Sequence, residues 1–366
     1  MAQLSAAMRA LVQPHLAGIE PYDPNFTSTR INLSANENTY PLPDGVRAKI
    51  DAALAATPLN RYPDPMSNAL RAELAAWNSV DPAQICVGNG GDELLYNFLL
   101  AFGGAGRKLL VCPPCFSEYA FFASLTQTEV CFSGRDSHAL VVDEESALAM
   151  APWADLVIVT SPNNPTGDLL PQGFVERLCE ACHGMVMVDE AYIEFAGEGA
   201  SALPLLDRFP NLVILRTLSK AFGQAGIRCG YVLAAPEVID VFAAVRQIYS
   251  VNVLTQAVAL AAVQERDTFA PVAAQIVAER ERVRAALEGL AERGLPVRVW
   301  PSSANFLLVR VPEATRVREA LRDEYSILVR DFSATRGLED CLRITIGTPT
   351  ENDEVLAALE ALLERR

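Results

Sequence analysis

The sequence is poor in histidine and in basic residues. Its 366 residues include three histidines, and 30 lysines and arginines stand against 45 aspartates and glutamates, a net charge of −15. A chain this acidic repels phosphate backbones and anionic lipid, which argues against nucleic-acid binding or membrane-surface binding. An anionic ligand therefore needs a local cationic pocket set against the overall field.

Two kinds of targeting segment are also missing. Residues 1–21 lack the basic region and the continuous apolar region of a signal peptide. No stretch of about 18 uncharged apolar residues predicts a membrane span. We therefore expect a cytoplasmic protein. The apolar residues Leu4, Met8, Leu11 and Val12 favour a short amphipathic helix at the N-terminus.

Four of the eight cysteines form two C-x-x-C pairs. Cys112 and Cys115 could be a redox pair, while Cys179, Cys182 and His183 match the string that attaches c-type haem. Haem attachment needs an export route, and a shared zinc site would have to bridge the whole segment between the two pairs, unlike a zinc ribbon. Free thiols are common in reduced cytosolic cores, so we expect buried or partly exposed free thiols and no metal site.

The apolar pattern predicts an α/β architecture. From about residue 60 to 235, short apolar runs alternate with amphipathic helical stretches, which indicates a mostly parallel sheet covered by helices on both faces. A long helical region over 237–264 and a second one over 272–294 come next. Apolar runs in 297–311, 325–332 and 341–348 and a closing helix over 351–365 then predict a smaller α+β domain.

The length suits one large domain and one smaller domain. We expect an N-terminal arm in residues 1–50 that joins the small domain, a large domain over residues 51–250, and a C-terminal small domain over residues 251–366.

Polar segments follow the ends of several predicted strands. They are Gly88–Glu93, Pro162–Gly167, Asp189–Tyr192 and Ser219–Lys220. In open α/β sheets, ligands bind beyond the carboxyl ends of the strands. We therefore expect these four segments to form one site.

A lysine and an aspartate in these segments suggest the chemistry. Lys220 directly follows an apolar strand, where an ammonium group is costly to bury, and Schiff-base chemistry needs such an amine with a lowered pKa. Asp189 ends a buried run and needs a cationic partner, which a protonated pyridine nitrogen would supply. The alternatives are a surface lysine at a helix start and a structural aspartate that caps the next helix.

Two other segments are weaker evidence. The glycine-rich turn GNGGDELL opens a helix whose N–H groups could bind phosphate, with Arg228 adding charge, but it is neither a P-loop nor a dinucleotide fingerprint. Asn164, in SPNNPTG, could donate to a phenolate oxygen, although the segment by itself is only a favourable turn sequence.

Together and in this order, these segments resemble the fold-type I pyridoxal-phosphate (PLP) aminotransferases, and within them the histidinol-phosphate aminotransferase family. The resemblance runs almost from end to end. It rests on LSANENTYPLP, RYPDP, GNGGDELL, SPNNPTG, VDEAYIEF, RTLSKAFGQAGIRCGY, PSSANF and CLRITIGTPTEND. It implies a large domain with a mostly parallel sheet, a smaller α+β domain, and PLP as the cofactor.

The resemblance also implies a role for each site residue. Lys220 would hold the cofactor and move the substrate proton, Asp189 would pair with the ring nitrogen, and Tyr192 would join Asn164 at the 3-oxygen of the ring. Phe116 would stack on the ring, where the family often has tyrosine. The cofactor phosphate would bind Ser219, Arg228, the backbone of Gly91 and Asp92, and Tyr62 from a neighbouring subunit, which implies a homodimer with shared active sites.

The substrate site is the least specific part of the resemblance. It implies contacts from Tyr22, Asn164, Arg330 and Arg343, although Arg330 could also be a solvated arginine at a strand end. Two arginines and a tyrosine suit both the phosphate of histidinol phosphate and the two carboxylates of glutamate. Cys115 and Thr39 depart from the usual family residues without removing a catalytic group.

The activity predicted on this basis is transfer of the amino group of L-histidinol phosphate to 2-oxoglutarate, in histidine biosynthesis. An aromatic amino-acid aminotransferase and a PLP-dependent decarboxylase of a phosphorylated amino acid are the alternatives on the same scaffold. A non-catalytic protein would be expected to have lost Lys220, Asp189 or Arg228, and all three are present.

Overall fold

The computed structural model describes residues 5–19 and 27–365. Within these residues the chain forms twelve β-strands in two sheets and twelve α-helices. The strands are β1 Ile31–Leu33, β2 Ile85–Gly88, β3 Lys108–Val111, β4 Glu129–Phe132, β5 Leu156–Thr160, β6 Met185–Asp189, β7 Leu212–Thr217, β8 Gly230–Ala234, β9 Arg298–Val299, β10 Phe306–Arg310, β11 Ile327–Asp331 and β12 Cys341–Thr345. The helices are α1 Ala6–Arg9, α2 Asp44–Ala56, α3 Asn68–Asn78, α4 Gly90–Phe102, α5 Glu118–Leu125, α6 Glu144–Met150, α7 Phe174–Ala181, α8 Pro236–Val245, α9 Val253–Gln264, α10 Ala270–Glu292, α11 Ala314–Tyr325 and α12 Pro349–Glu364.

The larger sheet has seven strands in the order β2-β8-β7-β6-β5-β3-β4. Strand β8 is antiparallel to both of its neighbours, and the other pairs are parallel. Every residue of β5, β7 and β8 is buried, as expected for strands covered on both faces. The prediction of a mostly parallel sheet between residues 60 and 235 is confirmed.

Alternate residues of each strand pack against different helices. On β5, Leu156 and Ile158 belong to a core shared with α4, α5 and α8, while Val157 and Val159 belong to a second core shared with α7. This alternation follows from the two-residue repeat of a β-strand. The sheet therefore lies between two helical layers, which leaves the ends of its strands open for a site.

The smaller sheet has five strands in the order β1-β11-β12-β10-β9. Strand β1 runs parallel to β11, and the remaining pairs are antiparallel. A strand from the first fifty residues thus completes a sheet formed near the C-terminus. The domain boundaries at residues 50 and 250 stay a prediction.

Two helical predictions need correction. The region 237–264 is not one helix, because α8 ends at Val245 and α9 begins at Val253. Tyr249 between them has a left-handed backbone, and the Asn252 side chain accepts hydrogen bonds from two N–H groups of the first turn of α9. At the N-terminus the predicted short helix is present as α1, but none of its residues is buried and Met8 is 51% exposed; Leu4 lies outside the described residues.

No helix within the described residues is both long and apolar enough to span a membrane. The cytoplasmic location stays a prediction.

Candidate active site

Four strand ends meet at one edge of the larger sheet. Strand β2 runs in the same direction as β7, because each is antiparallel to β8 between them. Thr160 and Asp189 are register partners at the ends of β5 and β6, and Gly230 pairs with Gly88 on one side and Thr217 on the other. The four polar segments singled out in the sequence all begin at this edge.

The first turn of α4 and Arg228 form an anion site. Asn89 precedes this helix without a side-chain cap, so the first N–H groups of the helix remain available. Arg228 Nη2 donates to Asp92 Oδ2 over 2.8 Å. Gly90 has a left-handed backbone with a φ of +84°, which favours glycine, and a Cβ there would lie 2.5 Å from Arg228 Nη2. Helix N–H groups beside a guanidinium suit a phosphate.

Ser219 completes this corner of the site. Its hydroxyl oxygen lies 2.9 Å from Thr217 Oγ1, which donates to it, and its backbone N–H donates to the same Thr217 oxygen over 3.1 Å. These bonds form a tight turn at the end of β7. The turn directs the chain into Lys220.

Asp189 is a buried carboxylate that forms no ion pair among the described residues. Its Oδ2 accepts a hydrogen bond from Tyr119 Oη over 2.7 Å, and its Oδ1 accepts one from the N–H of Ala191 over 3.0 Å. Burial raises the pKa of Asp189 to about 6, while the Tyr119 hydrogen bond opposes the rise. A cation bound against this carboxylate would replace the missing partner.

The next carboxylate along the chain has such a partner. Glu190 is 1% exposed and forms a 2.8 Å ion pair with the buried Arg216. Arg216 also donates to Asn78 Oδ1 and to Ser201 Oγ. Of two adjacent buried carboxylates, Glu190 is therefore neutralised within the chain and Asp189 is left for a ligand.

Lys220 has the properties of a reactive amine. Its Nζ donates to the Ala35 carbonyl oxygen over 3.0 Å and lies 5.8 Å from the ring centre of Tyr192. Burial, followed by the positive charge of Arg343, lowers the pKa of Lys220 to about 8. A substantial fraction of this amine is neutral near physiological pH, as nucleophilic and proton-transfer roles require.

Tyr192 offers a buried hydroxyl proton. Its oxygen accepts a hydrogen bond from Asn36 Nδ2 over 3.0 Å, and no acceptor for its own proton lies within hydrogen-bonding distance in the described residues. The Asn36 side chain is held in turn by Thr345 Oγ1, at 3.2 Å, and Phe306 packs edge-on against the Tyr192 ring. The Tyr192 hydroxyl is thus oriented with a proton to donate.

Asn164 connects the two sheets. Its Oδ1 accepts a hydrogen bond from Arg343 Nη1 over 2.6 Å, while Arg343 Nη2 donates to the carbonyl oxygen of Ser34 over 2.6 Å. Because Oδ1 is engaged, the Asn164 amide group is the part that can donate to a ligand.

A buried arginine holds the loops that contain Phe116 and Asn164. Arg135 donates to the carbonyl oxygen of Cys112 over 2.9 Å and forms a 2.8 Å ion pair with Asp168. The loop after β3 and the loop after β5 are therefore tied to each other. Phe116 lies edge-on to Tyr119, with ring centres 5.6 Å apart.

The two arginines predicted for substrate binding are register partners. Arg330 on β11 lies opposite Arg343 on β12 in an antiparallel pair. Like charges opposite each other in a sheet are unfavourable, and an anion bound between them would remove that cost. Burial raises the pKa of Glu118, and the positive charge of Arg330 lowers it in part.

One predicted site residue of the described chain, Tyr62, is not brought to this cluster. Tyr22 lies outside the described residues. Tyr62 is 80% exposed and stacks on Tyr249, with ring centres 4.6 Å apart. Within the described chain, no hydrogen bond or ring contact joins Tyr62 to the other site residues.

Three residues of the site were not predicted as site residues: Asn36, Tyr119 and Thr160. Asn36 lies in the NEN segment, whose asparagines were part of the resemblance without a role. Tyr119 follows Phe116 by three residues at the start of a helix, and only that spacing could have suggested it. Thr160 ends β5, and it lies beside Asp189 because of the register between β5 and β6, which only the folded structure shows.

The cysteines are free thiols, six of them buried and two partly exposed. Burial raises the pKa of Cys112 to about 11 and the pKa of Cys115 and of Cys179 to about 12. Thiols with such pKa values are weak nucleophiles near neutral pH. In the described part of the chain, no three His, Cys, Asp or Glu side chains are grouped to hold a metal ion.

Comparisons with known proteins show the family to which the chain belongs. The family model described as aminotransferase class I and II matches residues 28–359. A histidinol-phosphate aminotransferase from Nocardia farcinica is 40% identical over 94% of this chain and 90% of its own length.

Two solved structures have a similar fold. The histidinol-phosphate aminotransferase of Sinorhizobium meliloti, solved with pyridoxal-5'-phosphate, covers all of this chain and 99% of its own, with a TM-score of 0.88 and 24% identity, a likeness of fold. The L-threonine-O-3-phosphate decarboxylase of Porphyromonas gingivalis covers 91% of this chain and 99% of its own, with a TM-score of 0.78 and 29% identity. The fold is that of the fold-type I PLP enzymes, and the chain belongs to the class I and II aminotransferases, within which its sequence groups with the histidinol-phosphate aminotransferases.

Proposed function

We propose that this protein is a PLP-dependent transaminase that transfers the amino group of L-histidinol phosphate to 2-oxoglutarate, forming imidazole acetol phosphate and L-glutamate in histidine biosynthesis. The observation that supports this most directly is the convergence, at one sheet edge, of three groups complementary to one cofactor. They are the amine of Lys220, the unpaired carboxylate of Asp189, and the first turn of α4 beside Arg228.

The residues present fit the cofactor. The start of α4 packs closely on β8, since a Cβ on Gly230 would lie 2.8 Å from the backbone nitrogen of Gly91, and this contact fixes the backbone that would bind the phosphate. Ser219, Arg228 and the N–H groups of Gly91 and Asp92 would hold the phosphate. Asp189 lacks a cation that a protonated ring nitrogen would provide. Phe116 would stack on the ring.

When bound, PLP supplies an electron-withdrawing ring that stabilises negative charge at the substrate Cα. Lys220 would accept the proton from the substrate Cα and later give it up again, because an amine with a pKa of about 8 can act as both base and acid near neutral pH. Asp189 would hold the protonated ring nitrogen. Tyr192 and Asn164 each direct a donor to the 3-oxygen of the ring, since Asn36 and Arg343 occupy their acceptor sites.

Arg330 and Arg343 bind the anionic groups of both substrates. Histidinol phosphate brings a phosphate and no carboxylate, whereas 2-oxoglutarate brings two carboxylates. Two guanidinium groups on neighbouring strands suit either case, because each forms planar paired hydrogen bonds with phosphate or carboxylate. Tyr22 and Asn164 complete the proposed substrate site.

We also propose that the active enzyme is a homodimer with shared sites. The exposed Tyr62 and the exposed Ile248 beside its stacking partner Tyr249 form an apolar area on the single chain. A second copy that covered this area could receive Tyr62 at its cofactor phosphate.

The experiment that tests the function is a half-reaction with single amino donors. The cofactor-loaded protein is mixed with L-histidinol phosphate, phenylalanine, tyrosine or O-phospho-L-threonine, and the loss of cofactor absorbance is followed. Fast loss with L-histidinol phosphate and slow loss with the others is expected. If phenylalanine or tyrosine reacts fastest, the aromatic aminotransferase alternative is correct.

Product analysis distinguishes the decarboxylase alternative. That activity, known for one of the structural relatives, would release carbon dioxide from phosphothreonine without converting 2-oxoglutarate to glutamate. A colourless protein that does not bind added PLP would contradict every version of the proposal.

A further inference from the structure

Both oxygens of the Asp189 carboxylate are held within the chain. The backbone N–H of Ala191 donates to Oδ1 over 3.0 Å, and the Tyr119 hydroxyl donates to Oδ2 over 2.7 Å. Tyr119 is fully buried, and its ring reaches the carboxylate from α5, an element that lies seventy residues away in sequence. The tyrosine bond is therefore a tertiary contact made on the carboxylate itself.

A second hydroxyl orients the first. Thr160 Oγ1 lies 2.7 Å from Tyr119 Oη. Because the tyrosine has one proton and gives it to Asp189, Thr160 must donate to the tyrosine oxygen. Thr160 and Asp189 are register partners on β5 and β6, so Tyr119 bridges the ends of two adjacent strands. The result is a buried chain of hydrogen bonds from Thr160 through Tyr119 to Asp189.

We propose that Tyr119, supported by Thr160, is a positioning residue that keeps the Asp189 carboxylate ionised and aimed at the ring nitrogen of the cofactor. This inference rests on the proposed function. A hydrogen bond donated to an ionised carboxylate in a dry site stabilises the charged form, which burial alone disfavours. Without it, Asp189 would hold a proton more easily and pair less strongly with a protonated ring.

The contrast with Glu190 supports this role. Glu190 is neutralised by Arg216 and accepts hydrogen bonds from Ser201 and from the N–H of Ala202. Among the described residues, Asp189 receives hydrogen bonds from neutral donors alone, which stabilise its charge without cancelling it. The carboxylate therefore remains negative toward a bound cation.

The test compares two cofactors that differ at one atom. The dissociation constants of PLP and of 1-deazapyridoxal phosphate, in which carbon replaces the ring nitrogen, are measured for the full-length apoprotein and for Tyr119→Phe. The substitution should weaken PLP binding roughly tenfold, the value of one hydrogen bond to a charged group. It should leave binding of the deaza analogue nearly unchanged, because that ring has no nitrogen for Asp189 to hold.

Two further variants complete the design. Tyr231→Phe removes the hydroxyl of another fully buried tyrosine, which accepts a hydrogen bond from Asn78 Nδ2 over 3.5 Å, and should change neither constant. Thr160→Val should also weaken PLP binding, but less, and it keeps the test informative if Tyr119→Phe folds poorly.

The inference would be overturned if Tyr119→Phe weakened the binding of PLP and of the deaza analogue equally, or weakened neither. PLP binding by the wild-type chain would in that case still support the proposed cofactor. A wild-type chain that binds no PLP would overturn the proposed function instead.

Discussion

Arg343 Nη1 donates to Asn164 Oδ1 over 2.6 Å, and this bond joins the five-stranded sheet to the loop that leaves β5 of the seven-stranded sheet. The same guanidinium lowers the pKa of Lys220 through its positive charge. One side chain of the proposed substrate site thus influences both a proposed cofactor ligand and the reactive amine. Anion binding at Arg343 would therefore change both the Asn164 hydrogen bond and the pKa of Lys220.

The pH dependence of cofactor capture should report the pKa of Lys220. Because the pKa lies near 8 instead of 10.5, the neutral amine increases as the pH rises through 8 and then levels off. The rate of covalent PLP capture by the apoprotein, followed by absorbance, should do the same. Free N-acetyl-lysine serves as the control, and its rate should keep rising to about pH 10.

Lys220→Ala is the matched variant for that measurement. PLP should still bind reversibly through the phosphate site and Asp189, borohydride should no longer fix it to the chain, and turnover should fall by several orders of magnitude. Near-normal turnover in this variant would show that another residue moves the proton.

Removing the charge of Arg330 should affect the phosphorylated donor most. In Arg330→Gln, the KM for L-histidinol phosphate should rise about tenfold or more, since a charge-assisted hydrogen bond to the phosphate is lost. The KM for phenylalanine should change by less than about threefold. Arg310→Gln on β10 is the control, because Arg310 donates to the carbonyl oxygens of Gly337 and Glu339. An equal loss for both donors would remove the specificity assigned to Arg330.

Asn36 should act on catalysis only through Tyr192. Asn36→Ala frees the acceptor site of the Tyr192 hydroxyl, which can then turn away from the ring, and kcat should fall roughly tenfold. Introduced into Tyr192→Phe, the same change should have little further effect, as expected for coupled residues. Additive losses in the double variant would mean that Asn36 acts through another contact, such as Thr345.

Shared active sites predict complementation between two inactive variants. Chains with Lys220→Ala and chains with Tyr62→Ala are unfolded, mixed and refolded together. If Tyr62 serves the partner's site, each mixed dimer has one intact site, and random pairing restores about a quarter of wild-type activity. Each variant refolded alone is the control. No recovery in a mixture shown to contain mixed dimers would mean that Tyr62 does not act across subunits.

Arg216 should matter for stability. Arg216→Gln leaves Glu190 buried without a cation, and the free energy of unfolding of the apoprotein should fall by about 3–5 kcal/mol, measured by urea unfolding. Arg208→Gln removes one partner of an exposed ion pair with Glu176 and should cost less than about 1 kcal/mol. Combining Arg216→Gln with Glu190→Gln should recover part of the loss, because the unpaired charge is gone.

Several parts of this molecule could be predicted from neighbouring residues alone. The strands β5, β6 and β7 each contain a run of four apolar residues, and Asp189 and Lys220 stand out because a carboxylate or an ammonium close to the end of such a strand needs a partner. The glycine-rich turn before α4 has the local sequence of an anion site. These features depend on a few consecutive residues, so the sequence determined them.

Tertiary packing decided the rest. Asp189 and Glu190 are adjacent and chemically alike, yet within the described residues Glu190 meets an arginine and Asp189 does not, because successive side chains at the end of an extended strand point in opposite directions. Tyr119 reaches Asp189 across seventy residues, and Asn36 reaches Tyr192 across 156. Such partners are set by the stacking of helices on two sheets and by strand register, which the chain establishes only when it folds.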